Sequence, residues 1–307
     1  MKPMITTYKH KGLSWIDMES PTADEVKKIM QKYNISPLVA DELLRSTIRP
    51  RVDVYGNFIY LILHFPLFDL SRKMSAAGEI DFIIGKNFLI TTYYKSIAPL
   101  HEIAKMFEVG MLVSEKRLAK NPGQLMFFIV KHLYDFTLRQ LDHIHSKISA
   151  IEENIFTGKE KEMVREISYA QGDILEFKRS IHAHGEVLNS LRFAGEKFFS
   201  PDFARYVNDM IKELKQVENL VENSKETIEL LQNTNNSVLS NRTNEIIQTL
   251  TILAFATFPL VFLSQLFGMN VENMPFTRAR GGFWILTFIM IFLTVGVLAF
   301  FKRKKWL

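Results

Sequence analysis

Cysteine is absent from this sequence, and its absence excludes several kinds of chemistry. None of the 307 residues is a cysteine. The chain can therefore form no disulfide, no thiolate metal site and no thiol nucleophile. The lack of cysteine also fits a reducing compartment such as the cytoplasm.

The patterns of common enzymes and nucleic-acid-binding proteins are missing too. The sequence has no Gly-rich phosphate loop of the Walker type and no nucleophile at a recognisable spacing from a base. The formal net charge is +5, but no basic-aromatic recognition motif accompanies it. We therefore expect neither an enzyme nor a nucleic-acid-binding protein, and we expect no organic cofactor.

Charge is missing from two long runs near the end of the chain. Residues 246–271 and 281–301 contain no Asp, Glu, Lys or Arg. At about 1.5 Å per residue, either run is long enough for a helix to cross a hydrocarbon core of about 30 Å. Core helices of soluble domains seldom hold more than about 14 uninterrupted apolar residues. Both runs are therefore predicted to be transmembrane helices.

The distribution of basic residues predicts how these helices are oriented. The N-terminus has no apolar run typical of a signal peptide, so we expect the long first part of the chain to be cytoplasmic. Arg278 and Arg280 are the basic residues of the connecting loop. The residues that follow the second run are Lys302, Arg303, Lys304 and Lys305. By the positive-inside rule, both termini of this multi-pass protein are expected to lie in the cytoplasm, beneath a cell membrane of the inner or plasma type.

Residues 1–120 alternate short β-like segments with helical ones. Residues 58–68 and 80–94 are rich in β-branched and aromatic side chains, and Gly85-Lys86-Asn87 is typical of a hairpin turn. Ser20 and Pro21, followed by two acids, predict the start of a helix. This part is predicted to be a cytoplasmic α/β domain, which makes the soluble part α+β in class.

Apolar residues spaced alternately by three and four then predict long helices. Residues 121–200 are expected to form an antiparallel hairpin of two helices, with a turn at Thr157-Gly158. From Asp202 no Gly or Pro occurs before Pro259. Residues 201–267 are therefore predicted to form one stalk helix that continues into the membrane. The remaining segments are an external loop (268–282), the second span (283–301) and a basic cytoplasmic tail (302–307).

The first span carries a polar stripe. Its members follow one another at spacings of three and four: Asn244, Ile247, Thr251, Ala254, Phe258, Val261 and Gln265. Polar side chains within a bilayer face other protein or a water-filled path. The stripe fits either a helix-dimer interface or the wall of a pore.

A short motif follows this span. Gly268-Met269-Asn270, with Met274-Pro275 after it, the terminal KRKKWL and the preceding SNRTNEIIQTLTILAFATFPLVF, resembles the CorA family of divalent-cation channels. The resemblance is dense from residue 240 to 307 and looser over the rest of the chain. It implies a funnel-shaped homopentamer in a lipid bilayer, with the first span of each subunit lining one central pore.

The resemblance also implies roles for residues along this pore. Gly268, Met269 and Asn270 would form the outer selectivity filter, where Asn270 oxygens accept hydrogen bonds from the water shell of Mg²⁺. Glu272 would attract cations to the outer mouth. Asn244 would form an inner polar ring, and Leu250 with Phe258 an apolar constriction. The full set of pore-lining residues is Asn244, Ile247, Leu250, Thr251, Ala254, Phe258, Val261 and Gln265.

Regulation by the same ion is a further implication of the resemblance. Asp209 matches the position of a family acid that shares a cytoplasmic Mg²⁺ with a carboxylate of the neighbouring subunit. Asp69, Glu79 and Asp81 are the candidate partners, and none of them aligns better than the others. Mg²⁺ is thus expected to be both the transported and the regulatory ion.

The predicted function is uptake of Mg²⁺, with Co²⁺ or Ni²⁺ as further substrates, driven by the membrane potential. A zinc transporter of the same fold, proton-coupled or not, stays open, as does a two-span coiled-coil scaffold or sensor that transports nothing. The pairs His143 with His145 and His182 with His184 are not predicted to chelate zinc, because residues two apart on a helix do not face each other.

Overall fold

The computed structural model describes residues 4–10, 12–69, 74–108, 121–199, 202–269, 281–304 and 306. The chain divides into two compact units, Met1–Gln232 and Asn233–Leu307. The first unit holds a mixed sheet with helices, and the second holds two long apolar helical segments.

A six-stranded sheet forms the centre of the first unit. Its strands are β1 (Met4–His10), β2 (Leu13–Glu19), β3 (Arg51–Val54), β4 (Phe58–Asp69), β5 (Met74–Gly85) and β6 (Phe88–Tyr93). Their spatial order is β1-β2-β6-β5-β4-β3. β2 and β6 run parallel, and the other neighbours run antiparallel. The predicted hairpin turn is confirmed, because Lys86 and Asn87 join β5 to β6.

Helices cover both faces of the sheet. α1 (Ala23–Tyr33) and α2 (Pro37–Glu42) share a buried core with Ile16 and Met18 of β2. On the opposite face, Trp15 packs its ring 5.8 Å from that of Phe107 in α3 (Ala98–Glu108). Successive residues of a strand point to opposite faces, so β2 anchors both layers.

The start of α1 differs from the sequence prediction. Ser20 and Pro21 do not open the helix; instead Thr22 is the N-cap and forms a capping box with Glu25. The backbone N–H of Thr22 donates to the Glu25 carboxylate at 2.8 Å. Such a reciprocal pair satisfies two helix-end donors and fixes the first turn.

Four long helices follow: α4 (Pro122–Phe156), α5 (Glu160–Ile181), α6 (His184–Phe198) and α7 (Asp202–Gly268). Residues 157–159 join α4 to α5, and contacting helices with so short a connection run antiparallel. The sequence predicts two helices over residues 121–200, which is wrong because the second one is divided: α5 ends at Ile181 and α6 begins at His184. The apolar spacing keeps its phase across this break, so the spacing alone does not reveal it.

Phe203 fixes the first turn of α7 within the first unit. Its buried ring lies against two glycines, Gly123 of α4 and Gly195 of α6. A Cβ atom at these positions would come within 2.5 Å and 2.0 Å of the ring. Any larger residue would therefore displace Phe203, which explains glycine at both positions.

The second unit contains the end of α7 and α8 (Gly282–Arg303). Both helices are long and apolar enough to cross a membrane. α7 continues through Pro259 without interruption. Proline has no N–H, so the carbonyl of Phe255, four residues earlier, lacks its helical donor.

Candidate functional site

The predicted pore-lining residues lie on a side of α7 that is exposed in the single chain. Four of its apolar side chains are between 51% (Val261) and 70% (Phe258) exposed, and Asn244 and Gln265 are exposed as well. Another side of α7 faces α8, since the ring of Phe255 lies 6.0 Å from that of Phe301. The stripe is thus left free to contact water, lipid or other copies of the chain.

Thr251 lies at the border between these two sides. It is half-buried and lines a groove together with residues of α8. Its hydroxyl donates to the carbonyl of Ile247 at 2.7 Å. Because the hydrogen is used within the helix, the oxygen lone pairs are what Thr251 can offer to water or an ion's hydration shell.

The motif at the outer end of α7 is described only in part. α7 ends at Gly268, and Met269 follows with 58% of its surface exposed. Asn270 and Glu272, and also Lys305 of the basic tail, lie outside the described residues. The structure therefore places Gly268 and Met269 at the helix end, and the filter assignment stays a prediction.

Asp209 lies near the start of α7 in the first unit. Its carboxylate accepts a hydrogen bond from Lys212 Nζ at 2.8 Å, and its side chain is 39% exposed. A carboxylate with this exposure can exchange its lysine partner for a cation from solvent. Within the described residues of the single chain, no group of three or more His, Asp or Glu side chains could hold a metal ion.

The proposed partners of Asp209 differ in their accessibility. Glu79 and Asp81 of β5 are 4% and 0% exposed. The side chain of Asp69 lies outside the described residues. Neither Glu79 nor Asp81 reaches the surface of the chain, so an ion shared with a neighbouring subunit through either one would require the surrounding network to open.

Glu79 ties the segment after α2 to the sheet. It accepts hydrogen bonds from Ser46 Oγ and the Thr47 backbone N–H, both at 2.6 Å, and lies 3.4 Å from His64 Nε2. Burial alone raises the pKa of this carboxyl, but the donors His64, Ser46 and Thr47 outweigh it and the net pKa is lowered. Glu79 is thus a buried, ionised structural acid.

Asp81 is the opposite case. Burial, and after it the charge of Glu79, raise its pKa well above 3.8. The hydroxyl of Tyr94, 3.1 Å from Oδ2, is too weak a counterweight. The pKa values of two carboxyls in one buried network are thus moved in opposite directions, and Asp81 is the one that holds a proton more tightly than usual.

Asp81→Asn should weaken the pH dependence of stability. A raised native pKa means that the folded state holds the proton more tightly, so the stabilising effect is present below 3.8 and is lost as the pH rises toward the native pKa. The variant cannot ionise, so its melting temperature relative to wild type should be higher at pH 8 than at pH 5. Asp142→Asn, at an exposed position, is the control. Equal shifts at the two pH values would contradict the assignment.

The four histidines of the two pairs have different surroundings. His184 is fully buried: its Nδ1 accepts from Tyr134 Oη and its Nε2 donates to the His64 carbonyl, both at 2.8 Å. Burial lowers its pKa to about 3, so the ring is neutral and both nitrogens are engaged. His182, His143 and His145 are exposed. His182 is exposed while His184 is buried, so the two rings of this pair do not share one surface.

One contact was not foreseen from the sequence: the C-terminal tail returns to α7. Gln248 Nε2 donates to the carbonyl of Trp306 at 2.9 Å, and the Trp306 ring stacks 5.6 Å from Phe301. Trp306, which follows four basic residues, was the sequence signal that could have predicted this contact, because tryptophan favours the boundary between membrane and water.

Known proteins share this sequence pattern and fold. The family described as CorA-like Mg²⁺ transporter protein matches residues 10–303. The cobalt/magnesium transport protein CorA of Thermotoga maritima is 25% identical over 311 residues, covering 98% of this chain and 88% of that protein. The zinc transport protein ZntB of Pectobacterium carotovorum is 21% identical over 295 residues, covering 95% of this chain and 88% of that protein.

A solved structure supports the same assignment at the level of the fold. The CorA magnesium transporter of Methanocaldococcus jannaschii superimposes with a TM-score of 0.86 at 20% identity, covering 98% of this chain and 94% of that one. The match includes the α+β domain, the long helix and both candidate spans. The expected fold class is confirmed, and the chain belongs to the family of CorA-like Mg²⁺ transporter proteins.

Proposed function

We propose that this membrane transporter of divalent cations carries Mg²⁺, and with it Co²⁺ or Ni²⁺, into the cell. The active form would be a homopentamer with both termini in the cytoplasm and with the α7 helices around a central pore. The observation that carries the proposal is α7 itself: one unbroken helix bears the stripe from Asn244 to Gln265 and ends at Gly268. A membrane face with Asn, Thr and Gln suits water and other subunits better than lipid.

The pore would work without covalent chemistry. Mg²⁺ dehydrates reluctantly, so neutral oxygens of Asn270 and Asn244 would bind its water shell weakly enough to let the ion leave. Leu250 and Phe258, which are 58% and 70% exposed, would form a constriction that gates by dewetting. The membrane potential supplies about 4.6 kcal/mol per 100 mV for a divalent ion, twice the value for a single charge.

Ion uptake into proteoliposomes tests the proposal. The full chain is reconstituted, an inside-negative potential is imposed, and Mg²⁺ entry is followed with a trapped indicator. We expect entry that grows with the potential and does not depend on a pH gradient. Potential-independent leakage, or no entry above that of empty vesicles, would refute the proposal.

Zinc transport is the second candidate. Zinc transport proteins occur among the relatives that cover nearly the whole chain, at slightly lower identity than the cobalt/magnesium protein. The same vesicles separate the two candidates if Zn²⁺ is supplied with an imposed pH gradient. Zinc flux that follows the gradient, with no Mg²⁺ flux, would assign the protein to zinc.

Asp209→Ala should weaken inhibition by internal Mg²⁺. If Asp209 shares a regulatory ion with a neighbouring subunit, removing the carboxylate lowers the affinity of the closed state for that ion. A coupling of about 1–3 kcal/mol corresponds to a shift of roughly 5- to 150-fold in the half-inhibiting concentration. The assay varies Mg²⁺ inside the vesicles, and Asp142→Ala is the matched control. Unchanged inhibition in the Asp209 variant would remove this residue from regulation.

A further inference from the structure

An apolar groove of 520 Å³ lies between the membrane segments of α7 and α8. Its lining includes Phe255 of α7, Phe292, Gly296 and Phe301 of α8, and Trp306 of the tail. The side chain of Thr251 is its polar member, and the hydroxyl hydrogen of Thr251 is already used within α7. The groove therefore suits a hydrocarbon chain and offers little to a polar ligand.

Gly296 opens the floor of this groove. A Cβ atom built at this position would meet no other atom within 4 Å. The glycine is therefore not required by close packing of α8 against α7, unlike Gly123 and Gly195 against Phe203. Its effect is to leave a notch in the surface of α8.

One end of the groove is closed and basic. Phe301 and Trp306 stack at this end, and Gln248 holds the Trp306 carbonyl at 2.9 Å. The three basic residues beside this wall are Lys302, Arg303 and Lys304. All three are exposed, and no salt bridge involves them within the part of the chain that the structure describes.

The length of the groove matches one leaflet of a bilayer. From Phe292 to Phe301 α8 rises about 14 Å at about 1.5 Å per residue. Half of a hydrocarbon core of about 30 Å is nearly the same. With Trp306 and the basic residues at the water boundary, the apolar lining lies at the depth of the acyl chains of that leaflet.

We infer that this groove binds an anionic phospholipid, with one acyl chain along the Gly296 notch and the phosphate beside Lys302, Arg303 and Lys304. Charge complementarity selects the lipid class, because unpaired cations beside an apolar groove attract anionic head groups. The inference goes beyond ion transport and does not depend on which cation the protein carries.

Quenching of tryptophan fluorescence by brominated lipids tests the inference. The chain has three tryptophans, Trp15, Trp284 and Trp306. Trp15 is buried in the first unit, and Trp284→Phe removes the one at the opposite end of α8, so Trp306 is left to report on the groove. The protein is reconstituted in vesicles of phosphatidylcholine with a variable fraction of brominated phosphatidylglycerol or brominated phosphatidylcholine.

We expect Trp306 to be quenched at lower fractions of the anionic lipid, with a preference of about tenfold or more, since each nearby basic residue contributes about fivefold. Replacing Lys302, Arg303 and Lys304 by glutamine should bring the preference close to one. The control replaces Lys27, Lys28 and Lys32 of α1, which removes equal charge from exposed positions in the first unit.

Gly296→Leu tests the apolar half of the site. It fills the notch and should abolish the saturable, lipid-specific component of quenching, whereas Ala299→Leu, at an exposed position outside the lining, should not. Equal quenching by both lipids in the wild type would overturn the headgroup assignment. Quenching by neither lipid would mean that protein, such as a second copy of the chain, fills the groove, and would also overturn the inference.

Discussion

Vesicles that contain the Asn270→Ala variant should take up Mg²⁺ at about a tenth of the wild-type rate or less. In the proposed pore, the side-chain oxygens of Asn270 replace interactions that the hydrated ion makes with bulk water. Alanine removes these acceptors from every subunit at once. A single hydrogen bond to a charged group contributes about 1.5–3 kcal/mol, and about 1.4 kcal/mol corresponds to a tenfold change.

Asn273→Ala is the matched control, since it is the same substitution three residues later, outside the Gly268-Met269-Asn270 motif. It should leave the rate within about twofold of wild type. Both variants must reach the vesicles in equal amounts and elute at the same oligomeric mass. Normal uptake by the Asn270 variant would contradict the assignment of Asn270 to the selectivity filter, even if the protein transports Mg²⁺.

Replacing His184 by alanine should lower the free energy of unfolding by about 3–5 kcal/mol. The loss is the sum of the cost of a cavity and the cost of two buried polar groups left without a partner. The imidazole joins the first residue of α6 to the Tyr134 hydroxyl and to the His64 carbonyl of β4, and it packs 5.1 Å from the Phe65 ring. Thermal unfolding of the full chain in detergent, followed by tryptophan fluorescence, measures the loss, because Trp15 is buried in the first unit and becomes exposed on unfolding.

His182→Ala is the control, because this exposed side chain differs from His184 in burial but lies two residues away. It should change the stability by less than about 0.5 kcal/mol. His184→Gln should lose less stability than His184→Ala, since a side-chain amide can form a hydrogen bond with one of the two partners. Equal effects at 182 and 184 would contradict the structural role.

The same histidine predicts a pH dependence. Its native pKa of about 3 lies below the ordinary 6.5, so the unfolded state binds the proton more readily. The contribution of neutral His184 to stability is complete above pH 6.5 and is lost as the pH falls toward 3. Variants without the imidazole should lack this part of the acid sensitivity.

Much of the fold follows from local pattern. Spacing of apolar residues predicts α7 as one helix into the membrane, and β-branched runs predict β4, β5 and β6. The parallel pairing of β2 with β6 could not be predicted, because it joins Ser14 to Phe88 across most of the domain. The break between α5 and α6 could not be predicted for a related reason. His184 is a polar residue at a position where the apolar spacing puts a core residue, and only its distant partners Tyr134 and His64 explain why it is buried there.

The candidate site divides in the same way. The stripe of α7 and the motif at its end depend on residues close in sequence, so the sequence could predict their placement on one helix. The burial of Glu79 and Asp81 depends on β4, on the segment after α2 and on Tyr94 together, and alternation within β5 alone does not show it. The groove at Gly296 was not foreseen, because its lining has the same composition as any lipid-facing run.

Pro259 has a mechanical consequence for the first span. The carbonyl of Phe255 has no N–H donor four residues later, so one helical hydrogen bond is missing about midway along the uncharged run. The backbone hydrogen bonds of a helix resist bending, and the helix is least stiff where one of them is missing. Phe258 sits within this soft interval. A small bend of α7 at Pro259 can therefore move the ring of Phe258 sideways, while the helical hydrogen bonds before and after this point stay intact.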